Sequence, residues 1–155
     1  MHAHIEAIRT QRYALLVIDD EQPILELLGE TLIEEGLRVV LAPALPEALE
    51  ALDQERFDLI LADSLAEFDT DFSLDQWPAL ETIKARADAT RVVIFSAHPQ
   101  HHFACWQARG FAGFIAKPFD LDALVETLNL YLATSDSRTA SSDTIEITSS
   151  APHAR

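Results

Sequence analysis

The chain has 155 residues and a formal net charge of −15 at pH 7, from 26 acidic and 11 basic side chains. This length suits one folded domain, and the charge disfavours binding to nucleic acid or to an anionic membrane surface, because both present negative charge. Cys105 is the only cysteine, so an internal disulfide is excluded, and no apolar run is long enough to cross a membrane. We therefore expect a cytoplasmic protein that binds neither nucleic acid nor membrane.

Short apolar runs alternate with amphipathic segments along most of the chain. The run 13–18 is uninterrupted, as is typical of a strand buried on both faces, and apolar residues then recur at helical spacing until Gly36. Pro23 suits the first turn of this helix, and Glu21 and Glu26 suit its positive end. The remaining predicted elements are strands over 38–41, 57–62, 91–95 and 113–116, and helices over 45–55, 77–87, 100–109 and 121–133.

Five strand–helix units in strict alternation predict an α/β fold, with a doubly wound parallel sheet and helices on both faces. Composition divides the chain into an N-terminal extension (1–12), the folded domain (13–133) and a Ser/Thr-rich C-terminal segment (134–155). The last segment has few large apolar residues and is predicted to be a disordered tail. Within it, 144–148 alternates with a period of two and could dock as an added strand, although a solvated tail is the preferred interpretation.

Acidic residues follow two of the buried strands. Asp19 and Asp20 come directly after the first, and Asp63 directly after the third. Open parallel sheets bind ligands beyond the carboxyl ends of their strands, so we expect these carboxylates to lie close together. At about 4 Å and an effective dielectric constant near 20, each pair of like charges costs roughly 4 kcal/mol. A hard divalent cation with oxygen ligands relieves that repulsion, and the cluster therefore predicts Mg²⁺.

A hydroxyl and an ammonium group are expected at the same edge. Ser96 follows the predicted strand 91–95, and Lys117 follows the strand 113–116 and precedes Pro118, which favours an extended backbone at the lysine. Carboxylate, hydroxyl, ammonium and metal together form an electrostatic cradle for a phosphoryl group in transit. This combination indicates phosphoryl transfer.

Four segments of the sequence resemble, in order, the motifs of response-regulator receiver domains. They are VIDDE (17–21), FDLILAD (57–63), IFSA (94–97) and GFIAKPF (113–119). The resemblance covers about 13–133. It implies a flavodoxin-like five-stranded sheet with the strand order 2-1-3-4-5, and a cis peptide between Lys117 and Pro118.

By position, the resemblance also implies a role for each site residue. Asp63 would be the phosphoacceptor, and Asp19, Asp20, Asp63 and the carbonyl of Leu65 would hold Mg²⁺, with Asp20 the more direct ligand. Lys117 would pair with the phosphoryl oxygens, and Ser96 would hydrogen-bond to them. Phe114 matches the aromatic switch position that acts together with Ser96.

The chain departs from the family pattern after Asp63. Residues 64–68 lack the Met-Pro pair that the family usually has, and the loop that follows is longer and acidic. A hydrolase that resembles the haloacid dehalogenases is not expected, because Leu65 stands where such an enzyme needs a second aspartate. No enzymatic activity is expected beyond self-catalysed phosphorylation and dephosphorylation.

The resemblance implies a histidine kinase or a phosphotransfer protein as the phosphoryl donor. Because no output module follows 133, we expect a stand-alone receiver that signals by phosphorylation-dependent contact with a downstream protein or with a second copy of itself, as a homodimer. The alternative is a receiver-like adaptor that is not phosphorylated, which has only the atypical loop after Asp63 in its support.

Overall fold

The computed structural model describes residues 13–65, 77–97 and 104–135, with the backbone alone at Ser135. The predicted N-terminal extension 1–12, the acidic loop at 66–76 and the tail beyond 135, with its segment 144–148, lie outside the described residues. Within the described ranges, no helix combines the length and the apolarity needed to cross a bilayer.

Five parallel strands form one sheet in the order β2-β1-β3-β4-β5, which confirms the expected doubly wound topology. The strands are β1 (Ala14–Ile18), β2 (Arg38–Ala42), β3 (Leu59–Ala62), β4 (Val92–Ser96) and β5 (Gly113–Ala116). β2 lies on one side of β1 and β3 on the other, so the strand order reverses at β1. Such a reversal opens a crevice beyond the carboxyl ends of the two central strands.

Helices cover both faces of the sheet. The described residues contain α1 (Gln22–Glu34), α2 (Leu45–Gln54), α3 (Pro78–Ala87) and α4 (Leu121–Ser135). A proline occupies the first turn of each of the first three, as predicted for Pro23 in α1, because proline has no N–H to leave unpaired there. The fourth helix ends two residues beyond the predicted limit at 133.

The core consists of two apolar layers, one on each face of the sheet. Leu15 and Val17 of β1 pack on the side of α1 and α4, whereas Leu16 and Ile18 pack on the side of α2 and α3. Both faces of β1 are buried, which explains why its sequence is apolar without interruption. This buried centre positions the carboxyl ends of the strands.

The segment between β4 and β5 differs from the expectation. A helix was predicted over 100–109, but residues 104–110 form consecutive turns, and 98–103 lie outside the described residues. Cys105 has a φ of 70°, and Gly110 has a φ of 89°. A residue with left-handed dihedrals does not continue a right-handed helix.

This turn segment (104–110) packs against α3. The Arg109 guanidinium lies 2.7 Å from a carboxylate oxygen of Glu81 and 4.2 Å from the centre of the Trp77 ring. The Trp77 ring in turn lies 5.4 Å from the ring of Phe111. The φ of 89° at Gly110 favours glycine there, and the end of the Lys84 side chain lies where a β-carbon would stand. An ion pair to α3 and a cation–π contact with Trp77, directly before α3, therefore hold the turn segment, and Trp77 also pairs with Phe111, directly after it.

Candidate functional site

Backbone hydrogen bonds align the strand ends that carry the predicted site residues. The Asp19 N–H donates to the Ala42 carbonyl of β2 (3.1 Å), and the Asp63 N–H donates to the Ile18 carbonyl of β1 (2.8 Å). The Lys117 N–H donates to the Ser96 carbonyl of β4 (2.8 Å). Each bond continues the parallel ladder one residue beyond a strand, so the first side chains after β1, β3 and β5 emerge at one edge.

Three carboxylates meet at that edge. One oxygen from each of Asp19, Asp20 and Asp63 lies within 4.8 Å of the other two. The Asp19 side chain is fully buried and that of Asp63 is 12% exposed, whereas Asp20 faces solvent. The structure thus brings together the three carboxylates that were expected from separate strand ends.

Lys117 is the cation of this cluster. Its Nζ contacts Asp19 Oδ2 in a short ion pair and lies 3.5 Å from Asp63 Oδ1 and 3.4 Å from Glu21 Oε1. It also lies 4.6 Å from the centre of the Phe95 ring. The Lys117–Pro118 peptide is cis, as the resemblance implied. The ammonium is therefore held among three carboxylates with only 6% of its side chain exposed.

Burial and charge shift the titration of these groups. Burial is the largest cause that raises the pKa of Asp63 to about 6; the nearby Lys117 ammonium opposes it, while the charges of Asp19 and Asp20 add to it. Burial also raises the pKa of Asp19, against the hydrogen bond from Lys117. Burial alone would lower the pKa of Lys117, but the Asp19 hydrogen bond and the surrounding carboxylates raise it above its ordinary value. The site holds more negative charge than one lysine compensates.

The geometry fits a small hard cation. Mg²⁺ binds oxygen at about 2.0–2.1 Å in an octahedron, so that its ligand atoms lie roughly 3–4 Å apart, close to the spacing of these carboxylates. Both Asp19 oxygens already accept hydrogen bonds, Oδ2 from Lys117 and Oδ1 from the Glu21 N–H at 2.9 Å. Asp20 is exposed and leaves room for the waters that Mg²⁺ retains. The donor set is entirely oxygen, which is the kind of site that Mg²⁺ prefers.

The chain turns sharply after Asp63. Leu65 has a φ of 54°, and its N–H donates to Asp63 Oδ2 at 3.1 Å. This hydrogen bond fixes one oxygen of Asp63, while Oδ1 faces Lys117. Ser64, the next residue in the chain, is buried, and Leu65 packs against the α2 and α3 side of the core. The two carboxylate oxygens of Asp63 therefore have different surroundings.

The two predicted switch residues occupy different places. Ser96 is fully buried at the end of β4, beside the strand that delivers Asp63. Phe114 lies within β5, 3% exposed, in the core on the side of α2 and α3, outside the carboxylate cluster. The site edge therefore includes Ser96 by strand position, while Phe114 lies within the core.

Sequence reasoning missed two contacts of Lys117. Glu21 was expected only to favour the positive end of a helix, yet its side chain reaches Lys117, 96 residues away. Phe95 was expected only as a strand residue, yet its ring faces the ammonium. The position of Glu21 directly after an aspartate pair is the one signal that could have indicated the first contact.

Comparison with known proteins identifies the family. The response regulator receiver domain model matches residues 15–129. The chain is 32% identical over 118 residues to the transcriptional regulatory protein GlrR of Escherichia coli, covering 74% of this chain but only about a quarter of that protein's length. It is 29% identical over 119 residues to sporulation initiation phosphotransferase F of Bacillus subtilis, covering 76% of this chain and 92% of that one.

The solved structures agree with the family model. A structure of NtrX from Brucella abortus has a TM-score of 0.71 with 28% identity, over 83% of this chain and 29% of that chain. The chain belongs to the response regulator receiver domain family.

Proposed function

We propose that Asp63 accepts a phosphoryl group from a phosphohistidine of a histidine kinase or a phosphotransfer protein. The aspartyl phosphate would then change the affinity of this receiver for a downstream protein or for a second copy of itself. We further propose that this reaction takes place in the cytoplasm. The expectation that the domain acts without an output module stays a prediction.

The observation that carries this proposal is the pairing of Asp63 with Lys117. Asp63 is a buried carboxylate whose Oδ1 lies 3.5 Å from a buried ammonium, at a strand end where Asp19 and Asp20 add negative charge. A structural ion pair would need one carboxylate for one ammonium. The excess of carboxylates favours a site built for a cation and an anionic group together.

The residues suggest a division of labour. A carboxylate oxygen of Asp63 forms the bond to phosphorus while the bond between phosphorus and the donor nitrogen breaks, and the electron pair of that bond returns to the imidazole. The Lys117 ammonium neutralises the phosphoryl oxygens, and the hydroxyl of Ser96 donates a hydrogen bond to them. When bound by Asp19, Asp20, Asp63 and the Leu65 carbonyl, Mg²⁺ supplies further neutralisation of charge.

Signalling would follow from the new contacts of Lys117 and Ser96. Ser96 ends β4 and Lys117 follows β5, so a phosphoryl group that draws both side chains towards Asp63 acts on the carboxyl ends of these two strands. Phe114 lies on β5 between these points and packs in the core with Trp77 and Phe111. A phosphoryl group that favours one packing of this region increases the population of that conformation.

The test is phosphorylation by a small donor. The purified chain is incubated with Mg²⁺ and acetyl phosphate, and its intact mass is measured. We expect a gain of one phosphoryl group for the wild type and for Asp122→Asn, an exposed control on α4, and no gain for Asp63→Asn. A beryllofluoride titration followed by the fluorescence of Trp77 and Trp106 reports the change around the turn segment.

A wild-type chain that gains no mass from small donors or from partner kinases would refute phosphoacceptance. It would instead favour the adaptor that keeps the fold without the chemistry. Steady release of phosphate from a small substrate over many turnovers would contradict the proposal that the chain is not a hydrolase.

A further inference from the structure

Glu21 is placed at the entrance of the site by its backbone. Its N–H donates to Asp19 Oδ1 at 2.9 Å, and its carbonyl accepts the N–H groups of Ile24 and Leu25 at 3.1 and 3.2 Å at the start of α1. The main chain is thus tied both to the carboxylate cluster and to a helix. The side chain is 54% exposed, but its Oε1 lies 3.4 Å from Lys117 Nζ.

We propose that Glu21 determines which phosphoryl donors the receiver accepts. Its carboxylate repels free anionic donors and favours a phosphoryl group carried by a partner whose positive charge offsets this repulsion. This inference rests on the proposed function, because it concerns the donor for Asp63.

The distances bring the charge of Glu21 close to the reaction. Lys117 Nζ is 3.4 Å from Glu21 Oε1 and 3.5 Å from Asp63 Oδ1, so these two oxygens lie at most about 7 Å apart. A phosphoryl group that Asp63 accepts therefore carries its charge at roughly this distance from the Glu21 carboxylate. In water, the repulsion between two like unit charges about 7 Å apart lowers the rate of phosphorylation by roughly threefold. This factor applies once for each negative charge on the donor.

Glu21 also competes for the cation that the phosphoryl group needs. Lys117 contacts Asp19 and Glu21 at the same time as it faces Asp63. A phosphoryl group on Asp63 must draw the ammonium towards its own oxygens. Glu21 opposes that movement in the resting state, so its removal helps every donor and helps the most highly charged donors most.

Two small donors separate charge from other effects. Acetyl phosphate approaches as a dianion, and its P–O bond breaks with release of acetate. Phosphoramidate approaches as a monoanion whose nitrogen already carries the needed proton, and its P–N bond breaks with release of neutral ammonia. In both reactions the new bond joins phosphorus to an oxygen of Asp63, so the acceptor chemistry is shared and the donor charge differs.

The experiment measures the phosphorylation rate of the full chain with each donor, at saturating Mg²⁺ and low ionic strength. Glu21→Gln is expected to raise the rate with phosphoramidate about threefold and with acetyl phosphate about ninefold, so the ratio of the two rates rises about threefold. High salt should remove most of this change, since the Debye length falls to about 3 Å at 1 M.

Two variants serve as controls, one for the loss of a negative charge elsewhere on the chain and one for a changed side chain at position 21 that keeps its charge. Glu26→Gln removes the same charge one helical turn further along α1, where the side chain is exposed and accepts from Gln22, and it should leave the ratio near that of the wild type. Glu21→Asp keeps the charge near the site and should also leave the ratio near that of the wild type. An unchanged ratio in Glu21→Gln, or the same ratio in Glu21→Asp as in Glu21→Gln, overturns the inference about Glu21. Failure of the wild type to gain mass with either donor refutes the proposed function as well.

Discussion

The ionisation of Asp63 should destabilise the metal-free protein. Its pKa is raised from 3.8 to about 6, chiefly by burial. Because the folded-state pKa exceeds the unfolded value, the folded chain binds more protons than the unfolded chain between about pH 4 and pH 6. The contribution of Asp63 to the free energy of unfolding therefore decreases as the pH rises through this window and stays low above it.

The magnitude follows from the shift. About two pKa units, at roughly 1.4 kcal/mol for each, amount to about 3 kcal/mol. The side chain is only 12% exposed, so solvent screens this effect little. Asp63→Asn keeps the shape of the protonated group and cannot ionise. We expect it to raise the free energy of unfolding by about 3 kcal/mol at pH 8 in EDTA, which corresponds to roughly 10 °C in Tm for a domain of this size.

The assay is urea unfolding of the wild type and Asp63→Asn in EDTA at a series of pH values from 4 to 8. The difference in stability should be near zero at pH 4, grow through pH 6 and level off at pH 8. Addition of Mg²⁺ should narrow it, because the ion binds the folded ionised site of the wild type. Asp122→Asn, exposed on α4, is the control for loss of charge alone. A pH-independent difference, or a variant less stable than the wild type at pH 8, would refute the reasoning.

Three further substitutions test contacts of the fold and the site. Lys117→Met should lower the free energy of unfolding by about 3 kcal/mol in EDTA at pH 7.5, because it leaves the buried Asp19 carboxylate without its cation. Urea unfolding curves should show that Mg²⁺ restores part of this stability. An unchanged free energy of unfolding would contradict the ion pair. Arg109→Ala should lower the free energy of unfolding by about 1 kcal/mol and alter the fluorescence of Trp77. Arg86→Ala breaks only an exposed ion pair with Asp53, so it should lower the free energy of unfolding by less and leave the fluorescence unchanged. Equal effects of the two substitutions would argue against the cation–π contact. Gly113→Ala should lower the free energy of unfolding by about 2 kcal/mol or more, measured by thermal unfolding, because the added β-carbon would stand 1.9 Å from the Tyr131 hydroxyl. Adding Tyr131→Phe to the same chain removes that hydroxyl and should restore part of the lost stability.

Much of the fold follows from local sequence pattern. Strands buried on both faces read as uninterrupted apolar runs, and the aspartates directly after 13–18 and 57–62 mark where those strands end. The observed backbone bonds from Asp19 and Asp63 place both residues at the same edge, as the alternation of strands and helices predicts. A parallel sheet aligns all its carboxyl ends, so residues far apart in sequence meet there without any further information.

Other features depend on contacts that no local pattern encodes. A helix was predicted over 100–109, but residues 104–110 form turns, with left-handed dihedrals at Cys105 and Arg109 packed on Trp77. Glu21 was read as a helix-end residue because its role depends on Lys117, 96 positions later. The requirement for glycine at 113 likewise arises from Tyr131 on the last helix.

By itself, the sequence determined the strand–helix alternation, the ends of the buried strands and the identity of the charged groups delivered there, because periodicity and burial act over a few residues. Only the tertiary structure decided how one ammonium is shared among three carboxylates and which contacts hold the turn segment in place. Those outcomes depend on distances of a few ångströms between elements that meet only after the whole sheet has formed.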